Sequence, residues 1–263
     1  MQDRQNKVLA AETIDEKWSL WAIPLKSENL SLEETLIREN MEYLHLTRDE
    51  VVACWREKGT EKIKEKWLRE NPQTEVEIHH YYNALDLYIP ELSSWHCIEK
   101  NEALLKIVEF LQLCVKNNFT TFLDFGAEIG SSGIVFSYYG FDITLADISD
   151  AMLDYAKWRL AKHNVNAKFV DLKIKSIPDQ IVECATAIEV LEHVTDPIGA
   201  MDKIRRALKI GGYAFVTTPF YDDVERPQHI VRDIEIATKF QELGLELVSE
   251  EHDELFRIYK RID

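Results

Sequence analysis

A change of hydrophobic pattern near residue 119 constrains the fold more than any other feature of the sequence. From there, short β-rich apolar runs alternate with helical stretches. The runs are TTFLDFG, FDITLAD, NAKFV, IVECATAIE and GYAFVTT, and helices are predicted to begin near Gly130, Ser149 and Asp196. This alternation is typical of a parallel sheet covered on both faces. It predicts a doubly wound α/β fold with its ligand at the carboxyl ends of the strands.

The end of this region is predicted in more detail. Asp196 and Pro197 form an N-cap and first-turn pair. One buried helix face then follows at Ile198, Met201, Ile204 and Leu208. Gly211 and Gly212 are expected to end that helix, and the tail ATKFQELGLELVSEEHDELFRIYKR predicts a helix and two strands.

The preceding residues have a different character. They contain no convincing strand, and capping boxes such as Ser31 with Glu34 mark helix starts. We therefore predict an N-terminal helical region over 1–110, acting as a lid or substrate region, and a second domain over 111–263.

Charge limits the partners. The chain has 31 Lys and Arg against 47 Asp and Glu, a net charge of −16. Proteins that bind phosphate backbones need clustered basic residues. A small-molecule partner is therefore favoured over nucleic acid, and the oligomeric state stays open.

Three absences in the sequence predict the location and the redox state. No apolar run reaches the roughly 18 residues of a membrane helix, and the N-terminus lacks the basic and apolar regions of a secretory signal. We therefore expect a cytoplasmic protein without a membrane partner. Cys54, Cys97, Cys114 and Cys184 are widely spaced and form no CxxC pair, which predicts free thiols.

Three strand ends carry a nucleoside-binding pattern. Gly126 and Gly130 lie at the first strand-to-helix turn, where glycine allows close approach of a ligand to a helix N-terminus. Asp147 follows Gly126 by 21 residues and can accept both ribose hydroxyls. Asp171 ends the third run, placed to meet an adenine edge, with Ile148 as an apolar wall. Turn glycines and strand-end aspartates are common, but the agreement of all three spacings favours nucleoside binding.

The nature of the nucleoside follows from the motifs. The turn has GxxxGxxG instead of the dinucleotide pattern GxGxxG, so a nicotinamide-dependent oxidoreductase is the weaker alternative. The ordered motifs LDFGAEIG, ADISDAMLDYAKWRL, FVDL, AIEVLEHVTDP and LKIGGYAFVTTP resemble the class I S-adenosylmethionine-dependent methyltransferases over about residues 119–260. The resemblance implies a Rossmann-like, seven-stranded sheet whose antiparallel seventh strand, here LFRIYKR, lies at the edge.

The resemblance also assigns site residues. It implies that the loop from Gly126 to Gly130 holds the methionine part of S-adenosyl-L-methionine, that Asp147 holds the ribose, and that Glu189 and Val190 line the methyl-transfer pocket. The full set of predicted cofactor-binding residues is Asp124, Gly126, Ala127, Glu128, Gly130, Asp147, Ile148, Asp171, Leu172, Glu189 and Val190.

One position departs from the family. Members usually have DxGxGxG, and here Glu128 replaces the middle glycine. Its carboxylate could contact the ammonium group of the cofactor or point to solvent. We prefer the solvent orientation.

A second motif suggests a metal. Glu189, Glu192 and His193 in AIEVLEHV would share one face of a helical turn, and His229 comes from the next strand-end loop. Such donors suit Mg²⁺, Mn²⁺, Fe²⁺ or Zn²⁺. The set resembles the ExxEH plus His pattern of ubiquinone-biosynthesis and small-RNA O-methyltransferases, where a metal holds the accepting hydroxyls. The alternative is that these residues cap the turn and line a metal-free pocket.

These observations predict an enzyme that transfers a methyl group from S-adenosyl-L-methionine to an oxygen or nitrogen of a small acceptor. Without a metal, His193 or His229 would be the base, oriented by Glu192. A non-catalytic subunit that binds the cofactor is a further alternative. Aromatic residues at 79–82 and 95–96 are either a lid over the site or core residues.

Overall fold

A seven-stranded mixed sheet forms the centre of the molecule. The computed structural model describes residues 1–56, 59–84, 88–221, 223–251 and 255–263. The strands are β1 Thr121–Phe125, β2 Asp142–Asp147, β3 Ala167–Asp171, β4 Val182–Ala187, β5 Leu208–Thr217, β6 Leu245–Glu251 and β7 Phe256–Arg261. Their order is β3-β2-β1-β4-β5-β7-β6, and the first five are parallel to one another. The predicted doubly wound α/β fold is confirmed.

Twelve α-helices surround or precede the sheet in the part of the chain that the structure describes. They are α1 Gln2–Ala10, α2 Ile14–Leu25, α3 Leu32–Leu44, α4 Arg48–Arg56, α5 Gly59–Glu70, α6 Glu75–Asn83, α7 Tyr88–His96, α8 Glu102–Lys116, α9 Ser131–Tyr138, α10 Asp150–Lys162, α11 Pro197–Ala207 and α12 Glu235–Thr238. The helix starts predicted near Gly130, Ser149 and Asp196 are confirmed. None of the described helices combines the length and apolarity needed to cross a bilayer.

The N-terminal helices and the sheet share one apolar core. Trp21 of α2 and Leu36 of α3 are fully buried in the same cluster as Phe122 of β1 and Phe136 of α9. The division at residue 110 stays a prediction, and α8 runs across it. All four cysteines are free thiols, as expected.

The predicted end of α11 was wrong. The helix ends at Ala207, and Gly211 and Gly212 lie within β5. Leu208 belongs to the strand, where it pairs with Val182 ahead of a break in register. A Cβ on Gly212 would lie 2.7 Å from the Glu183 carbonyl oxygen, so this glycine allows close approach of β4 and not helix termination.

The position of the last strand was also wrong in part. β7 is antiparallel, as expected, but it lies between β5 and β6, which makes β6 the edge strand. Burial explains the arrangement, because Phe256, Arg257 and Tyr259 of β7 are buried, whereas most of β6 is exposed or half-buried. The more exposed β6, which carries Glu246, Glu250 and Glu251, is the better edge.

A buried ion pair joins the N-terminal helices to the sheet domain. Arg159 of α10 is 0% exposed and Glu39 of α3 is 1% exposed, and Nε of the arginine donates to the carboxylate over 2.7 Å. His163 contacts the other Glu39 oxygen at 2.7 Å. Arg159 Nη1 also donates to the Ile129 carbonyl at 3.0 Å and to Ser131 Oγ at 2.7 Å, in and beside the glycine loop.

Breaking this pair should destabilise the protein strongly. Arg159→Met leaves the Glu39 carboxylate buried without its main cation, and we expect urea denaturation to show a loss of about 3–5 kcal/mol. Lys157→Met on the same helix removes a cation from a solvent-exposed pair with Asp154 and should leave the unfolding midpoint unchanged. Combining Arg159→Met with Glu39→Leu should recover most of the loss. Equal unfolding midpoints for Arg159→Met and Lys157→Met would contradict a stabilising role for the buried ion pair.

Candidate active site

A cavity of about 310 Å³ opens at the carboxyl ends of the parallel strands. Eight of the predicted site residues line it: Gly126, Glu128, Asp147, Ile148, Leu172, Glu189, Val190 and His193. They come from the ends of β1, β2, β3 and β4, which is where a doubly wound sheet binds its ligand.

Glycine is required at the turn after β1. Gly126 has φ +78°, and a Cβ there would lie 2.3 Å from Val190 Cγ2. Its backbone N–H donates to the Ala146 carbonyl at 2.8 Å, which holds the turn against β2. The loop therefore lies close to both neighbouring strand ends, and no side chain fits at its first position.

Asp147 is buried and tied to the glycine loop. One carboxylate oxygen accepts the Glu128 N–H at 3.0 Å and the other accepts the Ser149 N–H at 2.8 Å. Burial raises the pKa of Asp147 despite these bonds. Each oxygen keeps a further lone pair that a hydroxyl group could meet.

Four predicted cofactor residues do not line this cavity. Asp124 lies beneath it, accepts a hydrogen bond from Thr186 at 2.7 Å, and has a pKa raised to about 7, mainly by burial. Asp171 accepts the Lys173 N–H at 2.9 Å and pairs with its ammonium at 3.2 Å. Ala127 and Gly130 are likewise buried in the loop itself. Direct cofactor contact by these four residues stays a prediction.

A smaller cavity of about 90 Å³ adjoins the first. The two cavities share Tyr88, Glu128, Glu189 and His193. The remaining wall of the smaller cavity consists of Ile63, Glu91, Leu92, Trp95, Arg226, Gln228 and His229. The site therefore has two compartments, and α5 and α7 supply much of the second.

Glu128 lies at the junction of the two cavities. Its side chain is 23% exposed, and its carboxylate is 3.6 Å from Nε2 of His96. Our preference for a solvent orientation was wrong, because the backbone at Glu128 takes φ +49° and the side chain lines both cavities.

Three of the four predicted metal-ligating residues come together. One ligand-type atom each from Glu192, His193 and His229 lies within 4.8 Å of the others. Both Glu192 carboxylate oxygens and His229 Nδ1 are buried without a hydrogen-bond partner. Burial is the first cause that raises the pKa of Glu192 and lowers those of His193 and His229 to about 3 and about 4.

Hydrogen bonding indicates the tautomer of His193. Its Nδ1 lies 3.0 Å from the Gln228 carbonyl oxygen, which can only accept, so Nδ1 carries the proton. The lone pair on Nε2 then faces the Glu192 carboxylate, 3.6 Å away. The Tyr82 hydroxyl also contacts Nδ1, at 2.9 Å.

Glu189 does not join this cluster. It has φ +52° and precedes the 3₁₀ turn Leu191–His193, so the expected helical face that it would share with Glu192 does not form. Its carboxylate instead meets Arg226 at 3.4 Å.

The aromatic residues at 79–82 and 95–96 were predicted to be either a lid over the site or core residues, and the structure contains both. Tyr82, His79 and Trp95 line the cavities, as a lid would, whereas Tyr81 is fully buried against Trp67. Arg226, Gln228 and Tyr88 were missed by the sequence analysis. The only signal for the first two was their place beside His229 in ERPQHI.

Comparison with known proteins assigns the family. A sequence model described as a methyltransferase domain matches residues 93–258, more than half of the chain. The chain belongs to the class I S-adenosylmethionine-dependent methyltransferases. This assignment favours neither a nicotinamide-dependent oxidoreductase nor a non-catalytic subunit.

Curated relatives of this methyltransferase-family chain are partial matches. It is 33% identical over 96 residues to the ubiquinone/menaquinone biosynthesis C-methyltransferase UbiE of Marinomonas sp. (strain MWYL1), which covers 35% of each protein. It is 29% identical over 120 residues to the ubiquinone biosynthesis O-methyltransferase of Coxiella burnetii (strain Dugway 5J108-111), covering 45% of this chain and 50% of the relative. The matches thus span half or less of these relatives' length.

A solved structure shares the methyltransferase fold. The structure titled StiE O-MT residues 961-1257 has a TM-score of 0.50 and 17% identity, and the match covers 61% of this chain and 57% of that one. At this identity the likeness supports the fold alone.

An added methyl group at Gly126 should weaken ligand binding, whereas the same change at a glycine outside the site should not. Gly126→Ala combines left-handed strain with the collision at Val190, and we expect at least a tenfold rise in the Kd for S-adenosylhomocysteine by calorimetry. Gly211→Ala is the matched control, because Gly211 has φ +83° but nothing within 4 Å of an added Cβ. Its strain should cost about 1 kcal/mol of stability without changing that Kd. Similar Kd changes in both variants would refute the close-approach argument.

Proposed function

We propose that the protein transfers the methyl group of S-adenosyl-L-methionine to a hydroxyl oxygen of a small-molecule acceptor. The observation that carries this proposal is the pair of adjoining cavities, one against the glycine loop and Asp147, the other against His193 and His229. A two-substrate transfer needs two such compartments that meet where the reacting atoms meet.

In this proposal the larger cavity holds the cofactor. Asp147 accepts the ribose hydroxyls, and the apolar side chains of Ile148 and Leu172 enclose the adenine. The opposite end, at Glu128 and His193, then receives the sulfonium and the amino-acid part. This direction brings the transferable methyl group to the junction with the second cavity.

The chemistry is a direct displacement. The acceptor oxygen forms a bond to the methyl carbon as the carbon–sulfur bond breaks, and S-adenosylhomocysteine leaves with both bonding electrons. The acceptor hydroxyl must lose its proton during this step. The walls from α5 and α7 align the acceptor and exclude water, which are the main contributions of the protein to such a reaction.

The cluster of Glu192, His193 and His229 fits a divalent metal ion. Its donor set of one carboxylate and two imidazoles, the orphaned Glu192 oxygens and the free Nε2 lone pair of His193 all suit such an ion. The Gln228 carbonyl would orient His193, because an acceptor on the second ring nitrogen of a ligating imidazole fixes its tautomer and ring direction. A bound ion would lower the pKa of an acceptor hydroxyl. Without one, His193 or His229 is the base.

The acceptor is proposed to be small and hydroxylated. The second cavity is narrow and partly apolar, and the net charge of −16 opposes a nucleic-acid acceptor. The curated relatives carry the names of O- and C-methyltransferases of quinone biosynthesis and none is named an N-methyltransferase, so oxygen is proposed over nitrogen. A cytoplasmic location remains a prediction.

Cofactor binding tests the proposed function directly. Calorimetry should show binding of S-adenosylmethionine and S-adenosylhomocysteine and no binding of NAD⁺. Asp147→Asn should weaken the binding of S-adenosylmethionine and S-adenosylhomocysteine by about tenfold to a hundredfold, because the ribose hydroxyls lose a charged hydrogen-bond acceptor. Asp142→Asn, at the exposed start of the same strand, is the control and should bind normally. No heat with either sulfur compound would refute the proposal, and cofactor binding without turnover on a phenol and catechol panel would support the non-catalytic alternative.

Metal binding gives a second test. Calorimetry with Mn²⁺ or Zn²⁺ should show one site, and His193→Ala or His229→Ala should weaken it at least about a hundredfold. His80→Ala, at an exposed position of α6, is the matched control and should bind metal normally. Full activity of the wild type in excess EDTA would refute a catalytic metal.

A further inference from the structure

Glu128 is the most unusual side chain at the junction of the cavities. It stands at a left-handed position, φ +49°, where a glycine would be less strained, and it brings a carboxylate into a glycine-rich loop. Strain of this kind persists where the surrounding structure fixes it, and it often marks a functional site.

Two contacts fix the orientation of Glu128. Its backbone N–H is bound by Asp147, and its carboxylate faces Nε2 of His96. The His96 ring is in turn fixed by Ser131, whose Oγ lies 2.8 Å from His96 Nδ1 and accepts a hydrogen bond from Arg159. Since Ser131 Oγ already accepts from Arg159, its own proton is available to Nδ1, which leaves the His96 proton on Nε2, towards Glu128.

Burial, followed by the charges of Asp124 and Asp147, raises the pKa of Glu128, and the described residues supply no cation that would stabilise its ionised form. His96 is buried, and burial, followed by the charge of Arg159, lowers its pKa to about 3, so the ring is neutral. No Lys or Arg of the described chain forms an ion pair with Glu128. Arg226, the cation on the wall of the second cavity, is paired with Glu189 and Asp223.

We propose that Glu128 binds a protonated amine at the junction of the two cavities. The inference rests on the proposed function and adds a charged recognition element to it. A primary ammonium can donate hydrogen bonds to the carboxylate and supply the missing positive charge, and such charge-assisted bonds are short and strong. The amine comes from one of two sources, the amino-acid part of the cofactor or an amino group on the acceptor.

Calorimetry on wild type and Glu128→Gln separates the two sources. Gln has the size of Glu but lacks the charge. If the cofactor supplies the amine, Glu128→Gln weakens S-adenosylhomocysteine about tenfold to a hundredfold and leaves 5′-methylthioadenosine, which lacks the amino-acid part, unchanged. If the acceptor supplies it, S-adenosylhomocysteine binds normally and the variant loses a wild-type preference for tyramine over 4-ethylphenol in the cofactor-loaded protein.

Two further variants exclude a purely structural effect. Glu65→Gln removes one carboxylate from an exposed position of α5 and should change none of these affinities. Glu128→Gly removes the carboxylate and the left-handed strain together, so it should raise the melting temperature while weakening the same ligand as Glu128→Gln. A structural role would instead move stability and affinity in the same direction.

These measurements distinguish failure of the Glu128 assignment from failure of the proposed function. If both proteins bind S-adenosylhomocysteine equally and neither distinguishes tyramine from 4-ethylphenol, the assignment of Glu128 is overturned and the proposed function stands. If the wild type itself fails to bind S-adenosylhomocysteine, the proposed function is overturned, and the Glu128 assignment falls with it.

Discussion

The buried contact between Arg159 and Glu39 determines how the two parts of this molecule form one site. A guanidinium with no exposed surface needs partners for its donors, and Arg159 finds them in α3, at the Ile129 carbonyl and at Ser131. Only its Nη2 lacks a partner among the described atoms. The charge that ties down the N-terminal helices therefore also positions the residues that follow the glycine turn.

The two cavities, proposed to hold the cofactor and the acceptor, are built by different parts of the chain. The first is made by strand ends and a turn in which Gly126 must approach Val190 closely. The second is made largely by α5 and α7, together with the loop that carries Arg226 and His229. A class I sheet fixes where the cofactor lies, whereas the helices that precede it decide what else can enter.

The parallel part of the sheet could be predicted because its sequence signals are local. Five β-rich runs and the starts of α9, α10 and α11 follow from periodicity, turn glycines and the Asp196 cap. The insertion of β7 beside β5 could not be predicted, since pairing between distant strands depends on which strand is buried on both sides. The glycines at 211 and 212 misled for a related reason, because a bulge and a helix stop share the same residues.

The candidate site, too, could be predicted only where its sequence signals are local. Asp147 and Gly126 were found because their spacing along the chain is fixed by the strand-turn-helix unit. Glu189 was grouped with Glu192 on the assumption of a helical turn, and a single left-handed residue breaks that pattern. The Arg159–Glu39 contact and the contact of Glu128 with His96 join residues more than 30 positions apart in sequence, which no local pattern encodes.

The placement of β7 also sets the order in which the sheet can be completed. β6 is made before β7, but it has no strand to pair with until β7 has been added against β5. The apolar residues at the edge of β5 therefore stay uncovered until β7 pairs with that strand. Closing this edge is a non-local step, so a chain that has not yet made this pairing is the one most exposed to mispairing.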